Sequence, residues 1–309
     1  ASQPLVHTSD YAEDFHGEDG LGCLHLNDPD LAPNDWAEIL GLLDPNRQIG
    51  SKIEQETGMP SALKLYSLSA RSAHDEILHQ LAEAPPNTIT LIGIGPLTNF
   101  ALAYNQDPVT FARCRRVICM SGNFDIPGNV TPVAEFNAFS CPHSVDVMLQ
   151  ATMSGDPATS IEFYMVPTDV THQVPLSNTV LKTFITPLET PLSIFASKLM
   201  GYLFDLLESR LQLTSMSLHD PVCVGFFIDL EHEADMAAVG WTVEQRDARI
   251  ETDGMLTRGM MVVDRRARFT KPLLGHPSKT HVVFKADAER FVAKMLFDIW
   301  GVENFTGSV

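Results

Sequence analysis

Apolar residues recur along the 309-residue chain in short runs, separated by polar segments rich in Gly and Pro. Between Ser69 and Ala84 (SARSAHDEILHQLAEA), Ile77, Leu78 and Leu81 share one stripe, the spacing of an amphipathic helix. Pro85-Pro86-Asn87 stops that pattern, and Thr88–Ile94 (TITLIGI) reads as a buried strand bounded by Gly. Gly95-Pro96 opens a helix through Leu97–Tyr104, with Pro suited to a first turn. Val117–Met120 and Glu162–Val166 are further apolar strands. Leu188–Leu211 is a long helical stretch carrying Leu192, Ile194, Phe195, Leu199, Leu203 and Leu206. Strands follow near Trp241–Gln245, Met260–Val263 and His281–Phe284, and a helix runs from about Ala286 to Trp300. Residues 1–35 are polar and carry no clean period.

Strands that are apolar on both faces, each followed by a loop and a helical pattern, predict an α/β fold with an open, mostly parallel sheet flanked by helices. No Pro/Gly/Ser-rich linker divides the chain, so a single domain over residues 1–309 is expected. Sheets of this kind place their ligands beyond the carboxyl ends of the strands. Chemistry is therefore sought in the loops after Ile94, Met120 and Val166.

Composition narrows the partners. Hydrophobic residues make up 44% and charged residues 19%, which excludes a disordered chain. Lys and Arg number 21 against 39 Asp and Glu, a formal net charge of −18. Such a surface repels phosphate backbones and anionic lipid, so neither nucleic acid nor a membrane is an expected partner. A small neutral or cationic ligand, or a divalent metal, fits better. The five cysteines (Cys23, Cys114, Cys119, Cys141, Cys223) are odd in number, form no C-x-x-C pair, and several lie in apolar runs. They read as free thiols of a reducing compartment, and with no secretory signal or membrane-length apolar run visible, a cytoplasmic location is expected.

Three segments are chemically dense. The first is Ser121-Gly122-Asn123 with Pro127–Asn137 (PGNVTPVAEFN), where amides and one carboxylate lie close together. Amides donate and accept and a carboxylate accepts twice, so the set suits vicinal hydroxyls; ordinary turn chemistry accounts for the same residues. The second is Ser217–Pro221 (SLHDP) before the apolar run Val222–Ile228. There His219 is a proton donor and Asp220 a metal ligand or charge partner, or else Asp220 caps a helix with Pro221 in its first turn. The third, Asp14–Gly22 (DFHGEDGLG), is acid-rich but lacks EF-hand spacing and reads as a solvated loop. Signatures of serine hydrolases, zincins, P-loop enzymes and thioredoxins are absent from the sequence.

Taken in order, six segments are far more specific than any one. They are His16–Gly22 (HGEDGLG), Gly95–Asn99 (GPLTN), Pro127–Asn137, Asp169–Val174 (DVTHQV), Leu218–Pro221 (LHDP), and Leu256–Gly259 (LTRG) with Val263–Arg266 (VDRR). In this order they resemble the inosine–uridine-preferring nucleoside hydrolases from the first residues to about residue 300. Asp35–Tyr66 matches less well and reads as an insertion.

The resemblance implies hydrolysis of the N-glycosidic bond of a small-molecule ribonucleoside to base and ribose, in a homo-oligomer. It implies a calcium ion that holds a water and the ribose 2′- and 3′-hydroxyls, lowering the water's pKa. Carried over by motif, Asn129, Glu135 and Asn137 would hold ribose hydroxyls and His16 would line the base pocket. Asp220 and the backbone carbonyl of Ile94 would ligate calcium, and His219 would protonate the departing base.

One feature of the family has no counterpart in this sequence: the strand leading into an Asp-rich D-x-D-x-x-x-D-D loop that supplies most calcium ligands and the general base. Ala1–Val6 (ASQPLV) matches what relatives carry after that region. The expectation is a chain lacking N-terminal strands of the fold. The acids Asp10, Glu13, Asp14, Glu18 and Asp19 have the wrong spacing to replace the motif. The rival reading is a non-catalytic homologue that retains a ribose pocket; a third is a relative acting on another N-riboside.

Overall fold

In the computed structural model the described residues are 4–6, 13–17, 19–31, 69–265, 277–303 and 305. They fall in two compact units, the first formed by Ala1–Asp10, Arg71–Val180 and Ser215–Val309, the second by Tyr11–Ala70 and Leu181–Thr214. The expected insertion, Asp35–Tyr66, lies outside the described residues, as do Asp10, Glu18 and Arg266.

Among the described residues the first unit carries nine strands: β1 (Thr90–Gly93), β2 (Arg116–Met120), β3 (Phe163–Val166), β4 (Pro175–Ser177), β5 (Ser215–Ser217), β6 (Thr242–Arg246), β7 (Ala248–Ile250), β8 (Met261–Val263) and β9 (Thr280–Lys285). Five of them form one sheet in the order β1-β2-β3-β9-β6. β1, β2, β3 and β9 run parallel, and β6 closes the far edge antiparallel to β9. The open, mostly parallel sheet read from the sequence is thus present. The apolar run at Met261–Val263 goes elsewhere: it pairs antiparallel with β7 in a separate two-stranded ribbon, and β4 pairs with β5 in another.

Besides short helical turns, the described helices of this unit that frame the sheet and the site are α1 (Ala73–Glu83), α2 (Thr98–Gln106), α3 (Phe136–Ser140), α4 (Pro142–Ala151), α5 (Thr168–Thr171), α6 (His219–His232) and α7 (Ala288–Trp300). Side chains alternate across a strand, so one face of the sheet offers Val117, Cys119, Phe163, Met165 and Val282. Those residues pack with Leu78 and Leu81 of α1, Ala103 of α2, and Val145, Met148 and Leu149 of α4. On the opposite face Tyr164 meets Phe226 of α6 at 5.7 Å between ring centroids, and Trp241 bridges Phe226 and Phe291 of α7. Both faces are covered, which is why these strands read as unbroken apolar runs.

Caps set the helix limits. Ser72 accepts from Asp75 N and starts α1 three residues later than the apolar pattern suggests. Asp287 does the same for α7, which ends at Gly301 with φ 71°. α6 begins at His219 after Leu218, whose side chain makes no capping bond. The capping role read for Asp220 is therefore not taken: that residue stands inside the first turn.

In the second unit the helix Pro191–Leu206 starts at a capping box, with Thr190 accepting from Ser193 N and Ser193 Oγ from Thr190 N. The long apolar stretch Leu188–Leu211 breaks there because Glu189 takes a left-handed turn at φ 51°. Its stripe is buried only in part. Leu192 and Ile194 are exposed, while Ser193, Ala196, Phe204 and Leu206 are buried. The acid-rich loop has a structural occupation: Asp19 accepts from Leu21 N, Cys23 N and His25 N, and pairs with His25 Nδ1 at 2.7 Å. Gly22, at φ 68°, lies against Tyr202 so closely that a Cβ would sit 2.9 Å from its ring.

Candidate functional site

At the carboxyl end of β2 the chain enters a loop whose polar groups are largely fixed before any ligand arrives. Glu135, 2% exposed, caps α3 by accepting from Asn137 N at 2.7 Å and Ala138 N at 3.0 Å. It also accepts from Gly122 N at 2.8 Å, tying the two ends of the loop together. Asn137 donates from Nδ2 to the Met120 carbonyl at 3.0 Å, and Asn129 Oδ1 accepts from Phe136 N at 2.9 Å. Gly128 lies inside this weave, where a Cβ would meet Ala134 O at 2.2 Å, so only glycine fits.

These bonds satisfy part of each group's capacity. The Asn129 amide keeps two donors and the Asn137 amide keeps its acceptor oxygen, which is the complement that sugar hydroxyls require. Turn chemistry and hydroxyl binding are thus compatible uses of the same side chains. Among the described residues, Ser121 Oγ and Asn123 Oδ1 are buried in the same loop without a hydrogen-bond partner.

The second side of the site comes from β3 and α6. β3 leads into α5, where Asp169 accepts from Phe124 N at 2.8 Å and Asp125 N at 2.7 Å, anchoring the β2 loop. The Leu218 amide bonds to Val174 O, which seats the start of α6 beside α5. His219 then meets Thr171: Nδ1 and the hydroxyl oxygen are 2.7 Å apart. His172 packs against the His219 ring at 5.4 Å.

Two carboxylates complete the arrangement. Burial raises the Asp220 carboxyl above its ordinary range. Burial also raises Glu135, and the Asp220 charge pushes it further, against the three backbone N–H groups that favour its ionised form. Both carboxyls are thus held above their ordinary range chiefly by burial. Cys119 and Cys223 lie beneath, both raised by burial and further by nearby charges, Glu135 and Asp220 respectively among them, so neither is a reactive thiol. All five cysteines are free, as the sequence suggested.

The residues singled out from the sequence fare as follows. Asn129, Glu135, Asn137, His219 and Asp220 sit at the strand ends of one unit, and Ile94 follows β1 at the same end, half exposed. His16 belongs to the second unit, at the end of the helix Glu13–His16, where burial lowers its pKa. Sequence reasoning did not assign roles to Asp169 and Thr171, although Asp169–Val174 was one of the ordered segments. The available signal was a polar pair directly after an apolar strand.

Calcium takes about six to eight oxygen ligands. The carboxylate of Asp220 and the carbonyl of Ile94 do not fill such a shell. Among the described residues no group of three or more His, Cys, Asp or Glu side chains could hold a metal ion. These residues alone do not fit the ion. Among the described residues no helix is long and apolar enough to cross a membrane.

A model of the inosine-uridine preferring nucleoside hydrolases matches residues 1–293 of this chain. The pyrimidine-specific ribonucleoside hydrolase RihA of Salmonella arizonae is 26% identical over 293 residues, 94% of this chain and 75% of its own length. The inosine-uridine preferring nucleoside hydrolase of Leishmania major is 30% identical over 246 residues, 78% of this chain and 70% of its own. Among solved structures, an inosine-guanosine nucleoside hydrolase superposes with a TM-score of 0.69 at 24% identity, covering 97% of this chain and 79% of that one.

Proposed function

Because this chain belongs to the inosine-uridine preferring nucleoside hydrolase family, we propose that it cleaves the N-glycosidic bond of ribonucleosides, releasing base and ribose. The names of its relatives differ in the base, pyrimidine in one and inosine with uridine or guanosine in others. What they share is the riboside, so the sugar and its glycosidic bond define the substrate class.

In this reading Asn129, Glu135 and Asn137 hold the ribose hydroxyls with the hydrogen-bonding capacity their internal bonds leave over. The bond from C1′ to the base nitrogen breaks, its electron pair leaves with the base, and the His219 ring gives that nitrogen a proton. A water oxygen bonds to C1′, its proton passes to solvent, and solvent returns a proton to His219, so the net change is addition of one water across the bond. The sugar passes through a positively charged, oxocarbenium-like state. Buried carboxylates favour that state over the neutral substrate, which is how binding becomes rate acceleration.

The observation that carries the reading is that α5 ties the loop after β2 to the head of α6: Asp169 accepts from Phe124 N and Asp125 N, and Thr171 meets the His219 ring at 2.7 Å. Reducing-sugar release from purine and pyrimidine ribonucleosides tests it. The 309-residue chain should release ribose, and His219→Ala should slow release about 10²- to 10⁴-fold, the usual worth of a general acid. Ligand binding without any ribose release would favour the rival reading, a pocket without catalysis.

A further inference from the structure

The segments Leu256–Gly259 and Val263–Arg266 stand out in the sequence, yet the reaction above uses none of their side chains. They belong to the turn and the exit of the β7–β8 ribbon, in which Ala248, Arg249 and Ile250 pair with Val263, Val262 and Met261. That ribbon touches the β2 loop at both of its ends. At the close of the loop, Arg258 lies over the Phe139 ring of α3 at 4.3 Å, and its Nη2 reaches the Ser140 carbonyl at 3.5 Å. Gly259, at φ 80°, lies against the same helix, where a Cβ would stand 2.7 Å from Phe139 Cα. At the start of the loop Met261 packs on Gly122, where a Cβ would meet its Cγ at 3.0 Å. Arg265 Nη2 donates to the Phe124 carbonyl and pairs with the Asp125 carboxylate, each at 2.6 Å.

We propose that the β7–β8 ribbon is a brace that holds the β2 loop in its sugar-binding shape, with Arg258 and Arg265 as positioning residues that act through Asn129, Glu135 and Asn137. The inference rests on the reading of those three side chains as the groups that hold ribose hydroxyls.

The argument is one of preorganisation. Glu135 accepts from Gly122 N at one end of the loop and from Asn137 N and Ala138 N at the other, so the two ends must keep a fixed separation for one carboxylate to reach all three. The ribbon sets that separation from outside, because a hydrogen-bonded pair of strands is stiffer than the loop it touches. Its contacts fall on residues 122–125 on one side and 139–140 on the other. Phe124 is gripped twice over: Asp169 takes its N–H and Arg265 its carbonyl. A planar guanidinium suits both tasks, since it holds a carbonyl and a carboxylate together or lies flat on an aromatic face. Ligand-binding groups carried on a loop need such support, because displacement by about an ångström forfeits much of their effect.

Two measurements test the brace, and the first needs no turnover. Hydrogen exchange at the Gly122, Asn137 and Ala138 amides, which Glu135 holds, should quicken about fivefold in Arg258→Ala and in Arg265→Ala, the worth of one exposed charged contact, with the β3 amides unchanged. Arg265→Lys, which keeps a charged donor, should retain most of the protection. The second compares kcat/KM for a ribonucleoside with those for its 2′-deoxy and 3′-deoxy counterparts. Arg265→Ala should lower the ribonucleoside value about fivefold and the deoxy values less, so that the preference for the intact sugar narrows. A general loss of folded protein lowers all three by one factor. Unchanged exchange at the three amides, or an equal loss on all three substrates, would overturn the inference. In a chain that releases no ribose, faster exchange in both variants together with weaker calorimetric binding of ribose would leave the inference standing and defeat the hydrolase reading.

Discussion

Glu135 shows how one side chain serves folding and function together. Its oxygens gather three backbone N–H groups, from Gly122, Asn137 and Ala138, and the residue is nearly inaccessible. Removing it leaves buried donors unpaired, each costing about 1–3 kcal/mol. Glu135→Ala should therefore lower the urea-unfolding free energy by at least ~1–3 kcal/mol, whereas Glu135→Gln, which keeps an acceptor, should fold more stably than the alanine variant and still lose ribonucleoside hydrolysis. Equal stability of wild type and Glu135→Ala would show that the capping bonds contribute nothing. At this scale the sequence was informative about which residues matter and less so about how. Asn129, Glu135 and Asn137 stood out as hydrogen-bonding groups in a Gly/Pro-rich loop, but their internal bonds depend on β2 and α3 coming together, which no local spacing encodes. His219 and Asp220 were visible; Thr171, 48 residues earlier, was not, because its partner is fixed only by the docking of α5 on α6.

Elements hold the site through contacts away from it. The α6 helix that presents His219 is pinned near its other end by Asp229, which accepts from Trp241 Nε1 at 2.9 Å and from Arg290 of α7 at 2.8 Å. Burial pushes the Asp229 carboxyl up, but the bonds from Arg290 and Trp241 outweigh it and bring the group below its ordinary value. A folded-state pKa below the unfolded one adds stability that is present above the ordinary carboxylate range and lost as pH falls through the lowered value. Asp229→Ala should cost about 1–3 kcal/mol near neutral pH, since it leaves the Trp241 indole N–H unpaired and takes from Arg290 one of its partners. Its stability should also fall less steeply than the wild type's on acidification below about pH 4. Parallel acid-dependent slopes in urea titrations of the two proteins would contradict this. Strand positions were readable because both faces of each are covered. Of the ribbons β4-β5 and β7-β8 only β8 was readable, from the apolar run Met260–Val263; β4, β5 and β7 are three residues long, and β4 pairs with a strand far along the chain. The helix read from residue 188 begins at Pro191 instead, because a cap at Thr190 sets its start, and helical structure continues to Leu211 as the leucines suggested.

Across the whole molecule, a parallel sheet brings loops from distant segments to one end, and the chain uses that end for its chemistry. In the proposed reading the β2 loop supplies sugar-binding groups, β3 and α5 supply the supports, and α6 supplies the proton donor and a second carboxylate. The acidic surface, with a net charge of −18, suits a neutral or cation-developing ligand rather than a phosphate-bearing one. The claim at the centre is that this cradle grips ribose hydroxyls and tightens on the sugar as its bond to the base breaks. Comparing kcat/KM for a ribonucleoside with those for its 2′-deoxy and 3′-deoxy counterparts tests it most directly. The account predicts base release from the ribonucleoside and at least a ~10²-fold loss for each deoxy compound, because buried polar groups are then left unpaired in the transition state. Equal kcat/KM for all three, or no base release from the ribonucleoside, would contradict it.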